Sequence, residues 1–338
     1  MRQKRKVILG ILAAILAIVL FGVGIHFIDN MTNKSEKSGE YDYEQDCVYL
    51  GDGIYELNNN LENYLIIGTD DSGNEAAVGT KDYRGSMADF LLLLVINKTD
   101  QTYGFLQIDR NTITDVPGID TEGNGDEFFE EQICCAHWYG GNPEQGCENT
   151  VYTVSELLGG VPIYGYFSMN MGDIGILNHA VGGVEVTLDE DFSDKDPAMT
   201  KGKTIKLNDE QAEIYARGRL NIGDESNAAR MERQIAFMQA FKAKATKQAK
   251  DNPDFTEDLF NELKASTAVT DIPRSELSVI LNQIYKGEDL GILRLEGERT
   301  EGMTLGDGKL HEEFYPTEES IAEVVKTLCG ITETDRIE

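Results

Sequence analysis

The stretch Phe90-Leu-Leu-Leu-Leu-Val-Ile-Asn97 decides the fold. Its apolar run is continuous, and strands of this kind are normally covered on both faces. A turn at 98–102 connects it to a second run, Tyr103-Gly-Phe-Leu-Gln-Ile-Asp109, so the two runs are predicted to pair antiparallel. An earlier run, Tyr64-Leu-Ile-Ile-Gly68, leads into Thr69-Asp70-Asp71 and is typical of a buried strand that delivers polar residues at its end. Together the runs predict an α/β fold, with a mixed sheet sandwiched by helices.

Further helices and strands follow from apolar spacing and from helix start and stop signals. Asn149 is the expected N-cap of one helix, and Asn208-Asp209-Glu210-Gln211 opens another, with Leu207 as its hydrophobic staple. Helices are predicted at 126–139, 149–158, 171–180, from 208 onward, 228–250, 254–265, 275–286 and 318–329, and strands at 164–169, 184–188 and 292–298.

The amino terminus predicts one transmembrane helix before the folded domain. Four basic residues, Arg2, Lys4, Arg5 and Lys6, precede the apolar stretch 7–28, which is long enough to cross a bilayer. The basic flank stays inside, so the rest of the chain is expected outside the cytoplasm. A cleaved signal peptide is the alternative, but no convincing small-x-small cleavage site follows. The predicted parts are a cytoplasmic tail (1–6), an anchor (7–28), an extracellular tether (29–60), a core (61–250) and a C-terminal helical extension packed on the core (251–338).

The charge of the chain limits its partners. The protein has 60 acidic and 30 basic residues, and without the four basic residues before the anchor the count is 26 − 60 = −34. Such a field repels nucleic acid except at a local basic pocket, so no nucleic-acid partner is expected. Five cysteines in an exported chain permit disulfides. Cys134 or Cys135 could pair with Cys147, whereas Cys47 and Cys329 could pair or stay free.

In this acidic chain, the segment 211–234 contains four arginines. Arg217 and Arg219 are two residues apart, so on an extended segment their side chains point to one side. Arg230 and Gln234 are four apart and share one face of a helix. Guanidinium groups suit phosphate oxygens because they donate paired hydrogen bonds and remain charged. We expect these arginines, with Arg233, to converge on a diphosphate; the alternative is a solvated, salt-bridged helix start paired to nearby acidic residues.

Carboxylates and arginines at the ends of the predicted strands suit phosphoryl transfer. Carboxylates hold divalent cations, and arginines neutralise the charge of a transferring phosphoryl group. The sequence has no Gly-x-Ser-x-Gly nucleophile elbow and no Walker loop, and its four histidines are scattered. The remaining candidates are Asp70, Asp71, Arg84, Asp89, Arg110, Arg217, Arg219, Asp224, Arg230 and Gln234.

Several ordered segments carry a family resemblance over about 64–241. They read Leu65-Ile-Ile-Gly-Thr-Asp70, Ser86-Met-Ala-Asp89-Phe-Leu-Leu-Leu-Leu-Val-Ile-Asn97, Gln107-Ile-Asp-Arg110-Asn-Thr-Ile-Thr-Asp-Val-Pro117-Gly118, Glu148-Asn-Thr-Val-Tyr-Thr-Val-Ser-Glu-Leu-Leu158, Leu177-Asn-His-Ala-Val-Gly182-Gly183-Val-Glu-Val186, Leu207-Asn-Asp-Glu-Gln-Ala212, Tyr215-Ala-Arg217-Gly-Arg219 and Arg230-Met-Glu-Arg-Gln234. In these segments the chain resembles the LytR-CpsA-Psr family of membrane-anchored cell-wall proteins.

The resemblance implies a three-layer α/β/α fold and an extracytoplasmic phosphotransferase of Gram-positive, thick-walled bacteria. Such an enzyme moves a glycopolymer from a polyprenyl (undecaprenyl) diphosphate carrier to peptidoglycan, usually to the C6 hydroxyl of N-acetylmuramic acid. It also implies bound Mg²⁺ and an apolar groove for the lipid. By motif position, the resemblance implies that Asp70 and Asp89 bind the metal. It implies that Asp224 either orients an arginine or acts near the acceptor. The diphosphate would be held by Arg84, Arg110, Arg217, Arg219, Arg230 and Gln234.

Two departures from the family pattern leave alternatives open. The family commonly reads Pro-Arg-Asp where this chain has Asp109-Arg110-Asn111, so either Arg110 is less rigidly oriented or Asp109 substitutes for the missing carboxylate. The spacing from Arg84 to Asp89 is also wider than usual. A non-catalytic wall regulator or attenuator that binds prenyl phosphate, and a polyprenyl diphosphate hydrolase, remain alternatives. The apolar groove candidates, which are otherwise ordinary core, are Met87, Phe90, the leucines that follow it, Phe167, Met169, Met171, Phe237, Met238 and Phe241.

Overall fold

The computed structural model describes residues 47–57, 60–70, 84–118, 127–252, 254–273 and 286–333, with positions 276, 279–280 and 283–284 between the last two ranges. The predicted transmembrane segment 7–28 and its basic flank lie outside the described residues, as does Asp71. Within the described ranges, no helix combines the length and the apolar character that a bilayer crossing requires.

The described residues alternate strands and helices along the chain. The strands are β1 (Cys47–Leu50), β2 (Gly53–Glu56), β3 (Leu61–Thr69), β4 (Ala88–Asn97), β5 (Thr102–Ile108), β6 (Ile113–Gly118), β7 (Glu127–Gln132), β8 (Gly165–Asn170), β9 (Glu185–Thr187), β10 (Thr204–Lys206), β11 (Val269–Thr270), β12 (Glu288–Arg294), β13 (Gly297–Gly302), β14 (His311–Pro316) and β15 (Thr332–Glu333). The helices are α1 (Cys135–Trp138), α2 (Pro143–Leu157), α3 (Ile174–Ala180), α4 (Asp209–Arg217), α5 (Asn227–Asp251), α6 (Phe255–Ala265) and α7 (Glu318–Cys329), with a 3₁₀ turn at Met171–Asp173 before α3.

A six-stranded mixed sheet forms the centre, in the order β11-β8-β3-β4-β5-β12. The pairs β3–β4 and β4–β5 are antiparallel, whereas β8 runs parallel to β3 and β12 runs parallel to β5. The predicted antiparallel pairing of 90–97 with 103–109, and the mixed character of the sheet, are therefore confirmed.

Side chains of β4 alternate between two buried layers, as the period of a strand requires. Leu91 and Leu93 pack with residues of α2 and α7 on one face. Leu92 and Leu94 pack with residues of α5 and α6 on the other face. Both faces of the sheet are thus covered by helices, which gives three α/β/α layers and explains why this strand is apolar throughout.

A bulge interrupts β4 at Asp89. Gly68 pairs with Phe90 and Thr69 pairs with Ala88, so one extra residue of β4 stands against β3. A bulge of this kind re-aims the side chain of the extra residue and occurs often beside functional sites. Asp89 is that residue, and its carboxylate points to the arginines described below.

The predicted helix at 126–139 is wrong. Residues Glu127–Gln132 form β7, which pairs antiparallel with β6, and only Cys135–Trp138 is helical. The β6 backbone supplies the hydrogen bonds of this segment. Gly118 has no side chain where the Phe129 ring crosses it, since an added Cβ would lie 2.3 Å from that ring. A non-local partner therefore overrides the local helical pattern.

Two other predicted boundaries are corrected. Helix α2 begins at Pro143, not at 149, because Asn142 caps it by accepting a hydrogen bond from the Gln145 N–H at 2.8 Å and proline suits the first helical position. The predicted strand at 292–298 is two strands, β12 and β13. The predicted opening of α4 is confirmed, since Asn208 and Gln211 form a complete capping box.

The terminal segments also contribute strands. The hairpin β1–β2 joins β15 in a three-stranded sheet, so part of the expected tether is folded. After α5 the chain is not purely helical, because β12 completes one edge of the central sheet and β13–β14 form a hairpin. Half of the expected helix at 275–286 lies outside the described residues, and its described positions, 276, 279–280, 283–284 and 286, are helical as predicted. All five cysteines are free thiols, so none of the three considered disulfides is formed.

Candidate functional site

One end of the central sheet gathers the predicted polar residues of three strands. Asp70 follows the carboxyl end of β3, Asp89 lies near the start of β4, and Arg110 comes shortly after β5. Because β4 is antiparallel to both neighbours, these three positions lie at the same end of the sheet. The topology therefore places them together as the sequence predicted.

Asp89 is the centre of the site because two arginines converge on it. Arg110 Nε lies 3.0 Å from Asp89 Oδ1, as an ion-pair contact rather than an aligned hydrogen bond. Arg230, in the first turn of α5, donates from Nη1 to Asp89 Oδ2 at 3.0 Å. Burial lowers the pKa of Arg230, the nearby guanidinium groups of Arg110 and Arg219 act in the same direction, and the Asp89 carboxylate opposes them. Since a guanidinium pKa starts above 12, Arg230 stays charged.

Two sulfur atoms complete the surroundings of Arg110. Its Nη2 donates to Cys134 Sγ at 2.9 Å and to Met87 Sδ at 3.1 Å. Both are weak, polarisable acceptors. The guanidinium is therefore held on one edge by Asp89 and on the other by groups that compete little with a phosphate oxygen.

Asn111 is buried, and its Nδ2 has no hydrogen-bond partner among the described residues. Asp109 does not orient Arg110, because its oxygens contact the Asn111 N–H, Asn227 and Arg299. The expectation that Asp109 substitutes for a carboxylate at position 111 is therefore wrong. Arg110 contacts Asp89 instead.

Arg217 and Arg219 flank Gly218 at the end of α4. Arg217 Nη1 donates to Glu213 Oε1 at 2.5 Å, one helical turn earlier. Arg219 is half-buried and near enough to Arg230 to affect its pKa. The structure thus places Arg219 near Asp89, Arg110 and Arg230, which are called the Asp89 cluster below.

Two residues of α5 position the end of α4. Arg233 Nε donates to the Tyr215 carbonyl oxygen at 3.2 Å, a second N–H bonds the Gly218 carbonyl, and the guanidinium lies 5.3 Å from the centre of the Phe192 ring. Gln234 Nε2 donates to the Ala216 carbonyl at 3.4 Å. Arg233 does not contact Asp89 as Arg110 and Arg230 do, since its hydrogen bonds go to backbone carbonyl groups. The described hydrogen bond of Gln234 goes to a backbone carbonyl group as well. Both therefore hold the segment that carries Arg217 and Arg219.

Asp224 lies in the exposed turn before α5. It accepts a hydrogen bond from the Ser226 N–H at 2.9 Å, and this bond lowers the pKa of the carboxyl group. Ser226 caps α5 through the Ala229 N–H at 3.1 Å. In the structure Asp224 therefore shapes the turn that delivers Arg230.

Asp70 and Arg84 border the segment that leads into β4. Asp70 Oδ1 accepts from the Met87 N–H at 2.9 Å. The guanidinium of Arg84 lies 5.8 Å from the centre of the Trp138 ring. Asp70 thereby fixes the backbone two residues before Asp89.

The two predicted metal ligands offer a partial site. No group of three or more metal-binding side chains occurs in the described part of the chain. Mg²⁺ commonly binds one or two carboxylates together with substrate phosphates, so Asp70 and Asp89 at one sheet end fit such a shared site. Both oxygens of Asp89 contact arginines, however. A metal could therefore bind this carboxylate only if the phosphate oxygens of the ligand replaced it as the partner of Arg110 and Arg230.

The predicted groove residues do not form one layer, because Leu91 and Leu93 lie on the opposite face of the sheet from Phe90, Leu92 and Leu94. Phe90, Phe167, Met171, Phe237, Met238 and Phe241 are buried together between the sheet and the helices α5 and α6, and Met169 packs against them. Met87 lies instead beside Arg110. In this structure the layer is closed and is part of the core.

Sequence reasoning missed two polar residues that support the site. Asn227 is buried and contacts both Asp109 and Arg230, and its place one residue after the helix cap was a signal that could have found it. Arg299 reaches Asp109 from β13. No local sequence pattern predicts that contact, because it depends on how the hairpin β13–β14 packs against the rest of the domain.

The fold and site define a class: a three-layer α/β/α protein that gathers buried arginines around a carboxylate at one end of its sheet, as an anion-binding site requires. The chain belongs to the LytR_cpsA_psr family, whose family model matches residues 22–328.

Relatives of known name share this family. Over 239 residues the chain is 24% identical to the "Polyisoprenyl-teichoic acid--peptidoglycan teichoic acid transferase TagU" of Halalkalibacterium halodurans, covering 70% of this chain and 71% of that protein. TagU of Bacillus cereus is 29% identical over 52% of this chain and 50% of its own length. TagU of Enterococcus faecalis is 28% identical over 65% and 63%. The chain thus spans half to about two thirds of the length of the latter two relatives.

Solved structures have the same fold. A Streptococcus agalactiae protein superposes with a TM-score of 0.61 at 20% identity, covering 82% of this chain and 91% of that one. Bacillus subtilis TagV superposes with a TM-score of 0.57 at 24% identity, covering 80% and 96%. At these identities the likeness concerns the fold.

Proposed function

We propose that the protein is a membrane-anchored, extracytoplasmic phosphotransferase that moves a glycopolymer from a polyprenyl diphosphate carrier to peptidoglycan. The observation that carries the proposal is the convergence of Arg110 and Arg230 on Asp89, with Arg219 close by, at one end of the sheet. The relatives named as teichoic acid transferases support the transferase role. The segment 7–28 would hold the domain at the outer face of the membrane.

The arginines would bind the diphosphate and absorb the charge of the leaving group. An acceptor sugar hydroxyl attacks the phosphorus bonded to the glycopolymer and releases its proton to solvent. The bond from that phosphorus to the bridging oxygen breaks, and polyprenyl phosphate leaves with the bonding electron pair. Asp89 holds Arg110 and Arg230 at the site before the ligand arrives, and the phosphate oxygens would replace the carboxylate as their partner when the diphosphate and Mg²⁺ bind. Arg217 and Arg219, held by the contacts of Arg233 and Gln234, would bind the outer phosphate oxygens.

Mg²⁺ would be held by Asp70 and Asp89 together with the diphosphate. When bound, the ion neutralises negative charge on the phosphate oxygens. Asp70 additionally keeps the segment before β4 in place through the Met87 N–H, so the position of Asp89 depends on it.

Arg217→Ala tests the proposal, because its described ion pair is a partly exposed contact within one helix and the fold should survive its loss. Transfer of a labelled glycan from a polyprenyl diphosphate to peptidoglycan by the full-length protein should fall about a hundredfold or more. The matched control is Lys98→Ala, which removes a positive charge at the other end of β4 and should leave transfer unchanged.

The products separate the alternative activities. Release of the glycan phosphate into water without transfer would identify a diphosphate hydrolase. Lipid binding without turnover would identify a regulator. Unchanged transfer by Arg217→Ala would show that this arginine takes no part in the reaction and would contradict the proposal. Independently, mass spectrometry of lipid extracted from the natively purified protein should find a polyprenyl phosphate.

A further inference from the structure

A chain of polar side chains connects the site to the C-terminal hairpin. Arg299 Nη1, on β13, lies 2.6 Å from Asp109 Oδ2. Asp109 Oδ1 accepts a hydrogen bond from Asn227 Nδ2 at 2.5 Å. Asn227 Oδ1 then accepts from Arg230 Nε at 3.0 Å and from Arg230 Nη2 at 2.6 Å. Arg230 ends the chain at Asp89, so Arg299 acts on the site through two intermediates.

The neighbours of Arg299 hold it in one orientation. Its guanidinium lies 4.6 Å from the centre of the Phe314 ring, and Nη1 also donates to Glu312 Oε1 at 2.9 Å. Glu312 Oε2 accepts from the Asn227 N–H at 3.1 Å. The hairpin β13–β14 therefore contacts the first turn of α5 directly through Glu312, and Arg299 contacts it indirectly through Asp109.

The direction of these bonds determines how Arg230 is presented. The Asn227 amide can turn its oxygen to Arg230 only while its NH₂ group faces an acceptor, and the Asp109 carboxylate is that acceptor. Asp109 is 4% exposed, and a buried carboxylate needs a compensating cation to stay charged at low cost. Arg299 supplies that cation.

We infer that Arg299 is a positioning residue, which fixes the diphosphate-binding arginine Arg230 through Asp109 and Asn227 without touching the substrate. The inference rests on the proposed function. It gives the hairpin β13–β14, which lies within the residues that the family model matches but outside the sequence segments quoted for the resemblance, a part in forming the site.

The test measures binding of geranylgeranyl diphosphate and transfer kinetics with the full-length protein in detergent micelles. Arg299→Ala should weaken binding and lower kcat/KM about tenfold, which is less than the loss of a whole charge-assisted hydrogen bond would give. Arg299→Lys keeps a cation near Asp109 and should recover most of the loss. Arg294→Ala is the matched control. Arg294 and Arg299 line one small pocket together with Asp109, but Arg294 contacts Gln107 and Glu232, so its loss should not change binding.

A double-mutant cycle separates positioning from a general loss of stability. Asp109→Asn no longer presents a buried charge, so adding Arg299→Ala to it should have little further effect on affinity. Losses that add in full, or an Arg299→Ala protein that binds as the wild type does, would overturn the inference while leaving the proposed function intact. Absence of diphosphate binding by the wild type would overturn both.

Discussion

Lys242, on α5, is a buried cation that the proposed reaction does not use. Its side chain is 2% exposed, and among the described residues Nζ has no hydrogen-bond partner. Burial lowers the pKa of its ammonium group to about 8, although the nearby Asp289 carboxylate opposes the shift. Asp289 has donors of its own in the Tyr103 hydroxyl and the Gly291 N–H, so it does not depend on Lys242 alone. We therefore predict that Lys242→Met stabilises the protein.

The magnitude follows from linkage. An unfolded lysine titrates at its ordinary pKa of 10.5, so between pH 8 and 10.5 the unfolded chain binds a proton that the folded chain lacks, and stability rises with pH. At 1.36 kcal/mol per pKa unit, the buried ammonium costs about 3 kcal/mol at pH 7 and about 1 kcal/mol at pH 9.5. Methionine keeps the length of the side chain and carries no charge. The gain from Lys242→Met should therefore shrink by about 2 kcal/mol between these pH values.

Urea denaturation of the full-length protein in detergent, at pH 7 and pH 9.5, measures these free energies. Because wild type and variant are compared at each pH, the titration of tyrosines and other groups cancels in the difference. Lys247→Met, on the exposed face of the same helix, is the control and should change the free energy of unfolding by less than about 0.5 kcal/mol. A Lys242→Met protein that is less stable at pH 7, or a gain that is the same at both pH values, would refute this reasoning.

Three further outcomes are expected. Asn227→Ala leaves the buried Asp109 and Arg230 short of hydrogen bonds and should lower the free energy of unfolding by about 2–3 kcal/mol in urea titrations. Gly85→Ala places a methyl group 2.6 Å from the His137 carbonyl oxygen, so differential scanning calorimetry should show a loss of about 1–3 kcal/mol. Removal of divalent cations by EDTA should stop transfer, and added Mg²⁺ should restore it, as product assays will show.

The parts of the fold that could be predicted are those whose signals are local. The strands β3, β4 and β5 contain apolar runs, and the capping box of α4 lies within the four consecutive residues from Asn208 to Gln211. The segment of β7 was misread because its strand state depends on pairing with β6, and the sequence of β7 alone does not contain that partner. The predicted strand at 292–298 overlaps β12, but the start of β12 at Glu288 and its pairing with β5 were missed, since β5 lies far away in the chain.

The site divides in the same way. Asp70, Asp89 and Arg110 could be placed together because they lie at the ends of predicted strands, and Arg230 because it begins a predicted helix. The spacing of Arg230, Arg233 and Gln234 in the sequence could not show that Arg230 contacts Asp89 while Arg233 and Gln234 hold the backbone of another segment. Their bonds go to carbonyl groups at the end of α4, and which groups these are depends on how α4 and α5 pack.

The Asp89 cluster also shows how a chain with a net charge of −30 can offer a site to a diphosphate. Two guanidinium groups share one carboxylate, which leaves a local charge of +1 at the centre, with Arg219 nearby. Asp89 keeps both long side chains ordered before any ligand arrives, so binding avoids the ordering cost of about 0.5–1.5 kcal/mol for each. The carboxylate therefore lowers the net positive charge of the site but presents it in a fixed geometry, and a ligand with several phosphate oxygens can use both arginines at once.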